Sequence, residues 1–246
     1  VETLLARIHQ RGRDYERQIS PDYLQRLNTL YDDWIERWAS CPVLIIPANT
    51  RHDLYLFSAK GQATRIHAHQ IPEAPGAHYA DISGLTRRDR IVAMLSFSRE
   101  ASEKLDSSFL LLATSQGKVK RAALADLFDA ASTDPAVIGL DDGDELCWAG
   151  VSAGEGELLL VTASGQAIRF SEEDVRSMGL PAGGIGGIKL AAKDRVAGAG
   201  WIGKPPGQRA GHLAIVTQAG YAKRVPLADF PAQGRNGQGV VAAKLS

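Results

Sequence analysis

Two cysteines, Cys41 and Cys147, are all the thiol chemistry this chain holds. They are too few and too far apart for a disulfide framework or a zinc knuckle, which fits a reducing compartment. Charge of one sign is also lacking: 28 Lys and Arg balance 28 Asp and Glu. No global basic excess announces a polyanionic partner, so any such role rests on where the basic residues sit. No apolar run is long enough to span a bilayer and no signal peptide is visible, so no membrane partner is expected. The chain has no G-x-x-x-x-G-K-[ST] loop, hence no backbone cradle for nucleotide phosphates. His67-Ala68-His69 puts two imidazoles on one strand face without a third ligand nearby, so neither a metal nor another cofactor is expected. The first residue is Val1, and the chain reads as an internal piece of something longer.

What is present is a repeat. Glu157–Phe170, ELLLVTASGQAIRF, is an apolar strand, a tight turn and a second strand carrying one arginine. It recurs as DLYLFSAKGQATRI from Asp53, FLLLATSQGKVKRA from Phe109 and HLAIVTQAGYAKRV from His212. Each turn glycine (Gly61, Gly117, Gly165, Gly220) is followed four residues later by an arginine (Arg65, Arg121, Arg169, Arg224). Intervals of 56, 48 and 55 residues between the glycines lie near those of propeller blades or solenoid repeats. A glycine that tolerates φ > 0 after an apolar run predicts a hairpin. A short polar segment, a small-residue loop with a third strand (Val137–Leu140, Ile188–Leu190) and a fourth strand opened by D-x-[VIL] at Asp89, Asp144 or Asp194 complete the expected unit. Four strands per unit predict a mainly β, propeller-like disc of about four blades. The units are expected near 51–107, 108–155, 156–210 and 211–246, the last incomplete.

Residues 1–50 differ in kind and predict a helical α/β appendage. Ser20-Pro21-Asp22 reads as a helix start, with a capping hydroxyl and proline in the first turn. Tyr23, Leu24, Leu27, Leu30, Tyr31, Trp34, Ile35 and Trp38 keep helical spacing after it, and Val43–Ile46 reads as a short buried strand. Before them lies RIHQRGRDYE, whose Arg7, Arg11 and Arg13 could clamp phosphate through their guanidinium forks. On spacing alone a solvated helix face is the better reading.

Two resemblances follow from these motifs. Residues 1–49, through RIHQRGRDYE, SPDYLQRLNTLYDDWI and CPVLIIPA, resemble the carboxy-terminal part of bacterial deoxynucleoside kinases. That resemblance implies a lid over nucleotide phosphates at Arg7, Arg11 and Arg13, with Glu16 facing the substrate. A lid with no cradle beneath it is expected to be inactive. From about residue 51 to 246 the chain closely resembles the C-terminal domain of the DNA gyrase A protein and its topoisomerase IV counterpart. The carrying motifs are GQATRIHAHQIPEA, GKVKRAALADLF, GDEL, GQAIRFSEEDVRSMG, GGIGGIKL, GYAKRVPLADFP and GRNGQGVVAAKL. The resemblance implies a β-pinwheel whose blades exchange strands and whose basic rim wraps duplex DNA. It further implies partnership with a gyrase B-type protein and with the rest of a gyrase A protein, and a nucleoid-associated place in the cytoplasm. The parent protein would be an ATP-hydrolysing type II topoisomerase, while this chain by itself is not expected to be catalytic. Gln233–Gly239, QGRNGQG, distantly resembles the gyrase box Q-R-R-G-G-K-G, which the family carries in its first blade rather than its last.

The residues make their own case for DNA. Phosphates come at regular intervals, and neutralising them dominates affinity, so a wrapping surface needs charge at regular angular steps. Arg65, Arg121, Arg169 and Arg224 repeat at one position in four units, with Lys118, Lys120 and Lys223 on the same strands and Arg235 in the glycine-rich loop. These eight are the expected DNA contacts, to be weighed against ordinary edge-protecting strand charges. A kinase fragment and a propeller-type protein-interaction module are the alternatives.

Overall fold

A computed structural model describes residues 20–23, 25–26, 29, 52–71, 78–98, 107–130, 134–203, 211–218 and 220–244. The chain divides into two compact units, Val1–Ile46 and Pro47–Ser246. In the first, residues 21–23, 25, 26 and 29 are helical, and the Tyr23 amide donates to Ser20 Oγ at 3.1 Å, the capping bond expected of Ser20. Tyr23 is exposed.

The second unit is built from four hairpins. They are β1 (His52–Ser58) with β2 (Ala63–His67), β4 (Phe109–Thr114) with β5 (Lys118–Ala123), β7 (Gly156–Thr162) with β8 (Gln166–Ser171), and β11 (His212–Val216) with β12 (Ala222–Pro226). The four turn glycines have φ between 76° and 85°. Each donates its amide back to the last strand residue or its neighbour, as Gly117 does to the Thr114 carbonyl at 3.1 Å. A single helical turn or 3-10 turn follows each hairpin: Ala68–Gln70, α2 (Leu124–Phe128), Glu172–Asp174 and Leu227–Asp229; α1 (Tyr79–Ile82) lies later in the first repeat.

A third strand then pairs with the free edge of the first: β3 (Ile91–Ser98) beside β1, β6 (Leu146–Ser152) beside β4, β10 (Val196–Gly203) beside β7. These are the strands opened by Asp89, Asp144 and Asp194. The other expected strand is not where the apolar triplets put it. Ile185–Gly186 forms β9 and Val240–Val241 forms β13, and each pairs with the preceding repeat, β9 with β5 and β13 with β8. Ala136 does the same for the first sheet through a bridge to Gln62. Ile188 is buried in the core and makes one parallel bridge to Gly237 rather than a strand. Glycine permits the exchange, because a Cβ on Gly184 would lie 2.7 Å from the Val119 carbonyl oxygen. The sheets therefore read β2-β1-β3, β9-β5-β4-β6, β13-β8-β7-β10 and β11-β12. Among the described residues the fourth sheet holds two strands.

Strand periodicity explains why the first strands are apolar throughout. Successive side chains point to opposite faces, and each inner sheet is covered on both. Leu110 and Leu112 join Tyr55 and Phe57 in one core, while Leu111 joins Leu158 and Leu160 in the next. Leu159 faces a third core with Val225 and Phe230. β6 packs against both β3 and β10, so the third strands line the centre and the exchanged strands lie at the periphery.

Candidate nucleic-acid interface

The four repeat arginines occupy one register, opposite Tyr55, Leu111, Leu159 and Ala214. Equal register does not give them equal surroundings. Arg65 and Arg224 are exposed, Arg121 is half-buried and Arg169 is 4% exposed. Arg121 stacks its guanidinium 4.4 Å from the Phe109 ring centroid and donates to the Glu172 carbonyl oxygen at 3.4 Å. Arg169 donates to the Leu227 carbonyl oxygen at 2.8 Å and lies 3.5 Å from Glu157 Oε2. Glu172 and Leu227 each open the 3-10 turn of the following repeat, so these two arginines fasten one blade to the next. Their own carbonyls accept from the Met178 and Gln233 amides across the same seams.

The lysines divide in the same way. Lys120 is fully buried, and its Nζ donates to the carbonyl oxygens of Val137 at 2.8 Å, Ala182 at 2.9 Å and Leu180. Burial pulls its ammonium down to about 8, with the Asp126 charge opposing. Lys118 is partly exposed and pairs with Asp141 at 2.5 Å. Lys223 is exposed and reaches the Ala242 carbonyl oxygen at 3.2 Å. Arg235 is exposed and lies across the β9 edge, donating to the Asp174 and Gly186 carbonyl oxygens at 3.1 Å each. Of the eight expected contacts, Lys120 and Arg169 do not reach the surface: three backbone carbonyls hold the Lys120 ammonium, and the Leu227 carbonyl and Glu157 hold the Arg169 guanidinium. Arg65, Lys118, Lys223, Arg224 and Arg235 do reach it, and Arg121 does so in part.

Basic residues that the repeat did not single out join them. Arg176 and Lys189 are exposed on the segment that carries β9, and Arg195 is exposed at the start of β10. Arg176 and Lys189 flank the glycine run 183–187, which marks the peripheral exchange. The lid-like Arg7, Arg11, Arg13 and Glu16 lie outside the described residues. His67 is paired with Asp53 at 2.7 Å and stacked on His69, and no group of three metal-ligating side chains occurs among the described residues.

A second repeated device was not recognised in the sequence. Asp144 Oδ1 accepts from Ser115 Oγ and the Gln116 and Glu145 amides at 2.8–2.9 Å. Asp194 accepts from the Ser164 amide and hydroxyl and the Arg195 amide. Asp89 accepts from Thr86 and pairs with Lys60 at 2.6 Å. The acid that opens each third strand thus fixes the hairpin turn or the approach to it.

A family model described as DNA gyrase C-terminal domain, beta-propeller, matches residues 108–147, 156–200 and 211–246. Those three segments are similar to that family. Solved structures share the fold over a larger part of the chain. The C-terminal domain of a DNA topoisomerase IV superposes with a TM-score of 0.71 at 24% identity, over 87% of this chain and 67% of that one. A DNA gyrase A C-terminal domain gives 0.64 at 23%, over 81% and 66%. The DNA gyrase A protein of Salmonella typhimurium is 33% identical over 87% of this chain, which spans 23% of that relative's length. A deoxynucleoside kinase family model matches residues 1–68, so its end runs over β1 and β2, which the structure pairs within the pinwheel. No helix among the described residues is long and apolar enough to cross a membrane.

Proposed function

We propose that the pinwheel binds and wraps duplex DNA without reading its sequence, as the accessory domain of a gyrase-type topoisomerase. The observation that carries this reading is the placement of exposed Arg65, Lys223, Arg224 and Arg235, with Lys118, on a chain that the gyrase C-terminal domain family model matches over three segments. Glycine-rich exchange segments lie beside these charges and allow close approach of backbone to phosphate. Contacts of this kind neutralise phosphates and leave base edges unread. The partners proposed are duplex DNA, a gyrase B-type protein and the remainder of a gyrase A protein, and the place is the nucleoid. The repeats near 51–107, 108–155, 156–210 and 211–246 serve as the successive contact units.

A second reading attaches to residues 1–49, for which the kinase family match speaks. Arg7, Arg11, Arg13 and Glu16 would then be a relic lid, without turnover because the chain supplies no phosphate cradle. A phosphoryl-transfer assay with ATP and deoxynucleosides should give background alone.

The test of the DNA reading is a titration at several salt concentrations on two unrelated duplexes of equal length. Affinity should fall steeply with salt and equally on both. Arg65→Ala, Arg224→Ala and Arg235→Ala should each lower the slope of log K against log salt by about one unit or less. A salt-independent affinity, or no binding at all, would give the protein-interaction reading its place.

A further inference from the structure

Lys120 stands at a joint of three consecutive repeats. It lies on β5 of the second repeat, and its Nζ binds the Val137 carbonyl, on the segment that closes the first sheet. It also binds the Leu180 and Ala182 carbonyls, on the third-repeat segment that continues into β9 and closes the second sheet. The two segments also meet each other directly, since the Gly139 amide donates to the Ala182 carbonyl at 3.2 Å and Gly139 bridges Gly183. The equivalent position differs in every other repeat. Thr64 donates to Asp134, Ile168 is apolar and buried, and Lys223 finds a single carbonyl at Ala242. A pinwheel seam therefore closes without a lysine, and the three-carbonyl cage is a feature of this one joint.

The third-repeat segment that Lys120 holds, and the strand on which Lys120 itself lies, carry outward basic charges. Arg176 is exposed on the 176–187 segment, and the Gly186 carbonyl on that segment receives Arg235. Lys118 sits two residues from Lys120 on the same strand, its ammonium on the outside. We propose that Lys120 is a positioning residue for duplex binding: it touches no phosphate and sets the spacing between Lys118, Arg176 and Arg235 that lets one duplex meet successive blades. The proposal rests on the DNA reading above.

The experiment compares wild type with Lys120→Ile, which copies the third repeat, and Lys118→Ala. Each is titrated with duplexes of about 10 and about 40 base pairs, since only the longer must bend across several blades. Lys118→Ala should weaken both. Lys120→Ile should leave the short duplex unchanged and weaken the long one roughly three- to tenfold, the size of effect that a network residue has on a remote site. Lys120→Ala should behave likewise and regain long-duplex affinity with propylammonium, but not with tetramethylammonium at equal ionic strength, which has no N–H to give the carbonyls. Equal losses on both duplexes, no loss on the long one, or failure of Lys120→Ile to fold would each overturn the proposal. Absence of wild-type binding to either duplex would instead overturn the DNA reading itself.

Discussion

Arg169 Nη1 donates to the Leu227 carbonyl oxygen at 2.8 Å, joining β8 to the turn that follows β12 in the next repeat. The same guanidinium lies 3.5 Å from Glu157, and the residue is 4% exposed. A buried charge so held is costly to remove by halves, because the Leu227 carbonyl and the Glu157 carboxylate both lose this partner. Arg169→Ala should therefore cost about 3 kcal/mol of stability, and at roughly 2–4 °C per kcal/mol for a domain of this size the loss is plain in a thermal melt. Long-duplex salt slope should stay at the wild-type value in the folded protein. A melt unchanged by the substitution would show that the seam does not depend on this arginine.

The turn glycines give a comparison within one fold. Gly117 and Gly220 share a φ of 83°. A Cβ on Gly117 would meet the Ile188 carbonyl oxygen at 2.8 Å, whereas nothing lies within 4 Å of one on Gly220. Gly220→Ala should then cost the left-handed backbone alone, about 1–2 kcal/mol. Gly117→Ala carries that cost and a backbone clash at an inter-repeat contact, so it should be the more destabilising of the two in denaturant titrations. Equal midpoints would place the exchanged segment farther from the turn than described.

These particulars show what the sequence could say. The hairpins and their glycines were legible because a left-handed turn residue after an apolar run has few alternatives. The constant arginine was legible as a repeated position, yet its direction was not. In an inner sheet both faces are covered, so strand alternation does not separate a rim charge such as Arg224 from a seam clamp such as Arg169. The strand exchange was hidden for a related reason. Ile185–Gly186 carries no strand pattern of its own and is held by β5 of another repeat, a pairing that local propensity does not encode. Asp144 and Asp194 were seen as strand openers, but their role in the turn depends on contacts 28 to 30 residues away.

Asp89 should govern part of the acid behaviour. Its hydrogen bond to Lys60, with those from the Thr86 amide and hydroxyl, holds its carboxyl down at about 2, against 3.8 for a free aspartate. A carboxyl lowered by folding contributes stability that is complete above about 3.8 and is lost as pH falls toward 2. Lys60→Met removes the largest cause, so the Asp89 proton binds at higher pH and the acid unfolding midpoint should move upward. Far-UV circular dichroism against pH reads this. A midpoint that stays put would mean that the Lys60 contact adds nothing in solution.

Lys120 should act in the same direction at alkaline pH. Burial lowers its ammonium to about 8 from 10.5, so above pH 8 the folded protein has released a proton that the unfolded chain still binds. Stability then rises with pH, by at most about 1.4 kcal/mol per pH unit for one proton. Burial raises the Cys147 thiol to about 11 from 9.0, and a thiol so raised has the reverse sign above pH 9. The clean window is therefore between pH 8 and 9, where Lys120 changes state and Cys147 does not. Urea midpoints at the two ends of that window should show wild type gaining on Lys120→Ile. If the two proteins kept a constant difference across it, the ammonium would be as comfortable among the carbonyls of Val137, Leu180 and Ala182 as in water, and the alkaline gain assigned to Lys120 would be absent.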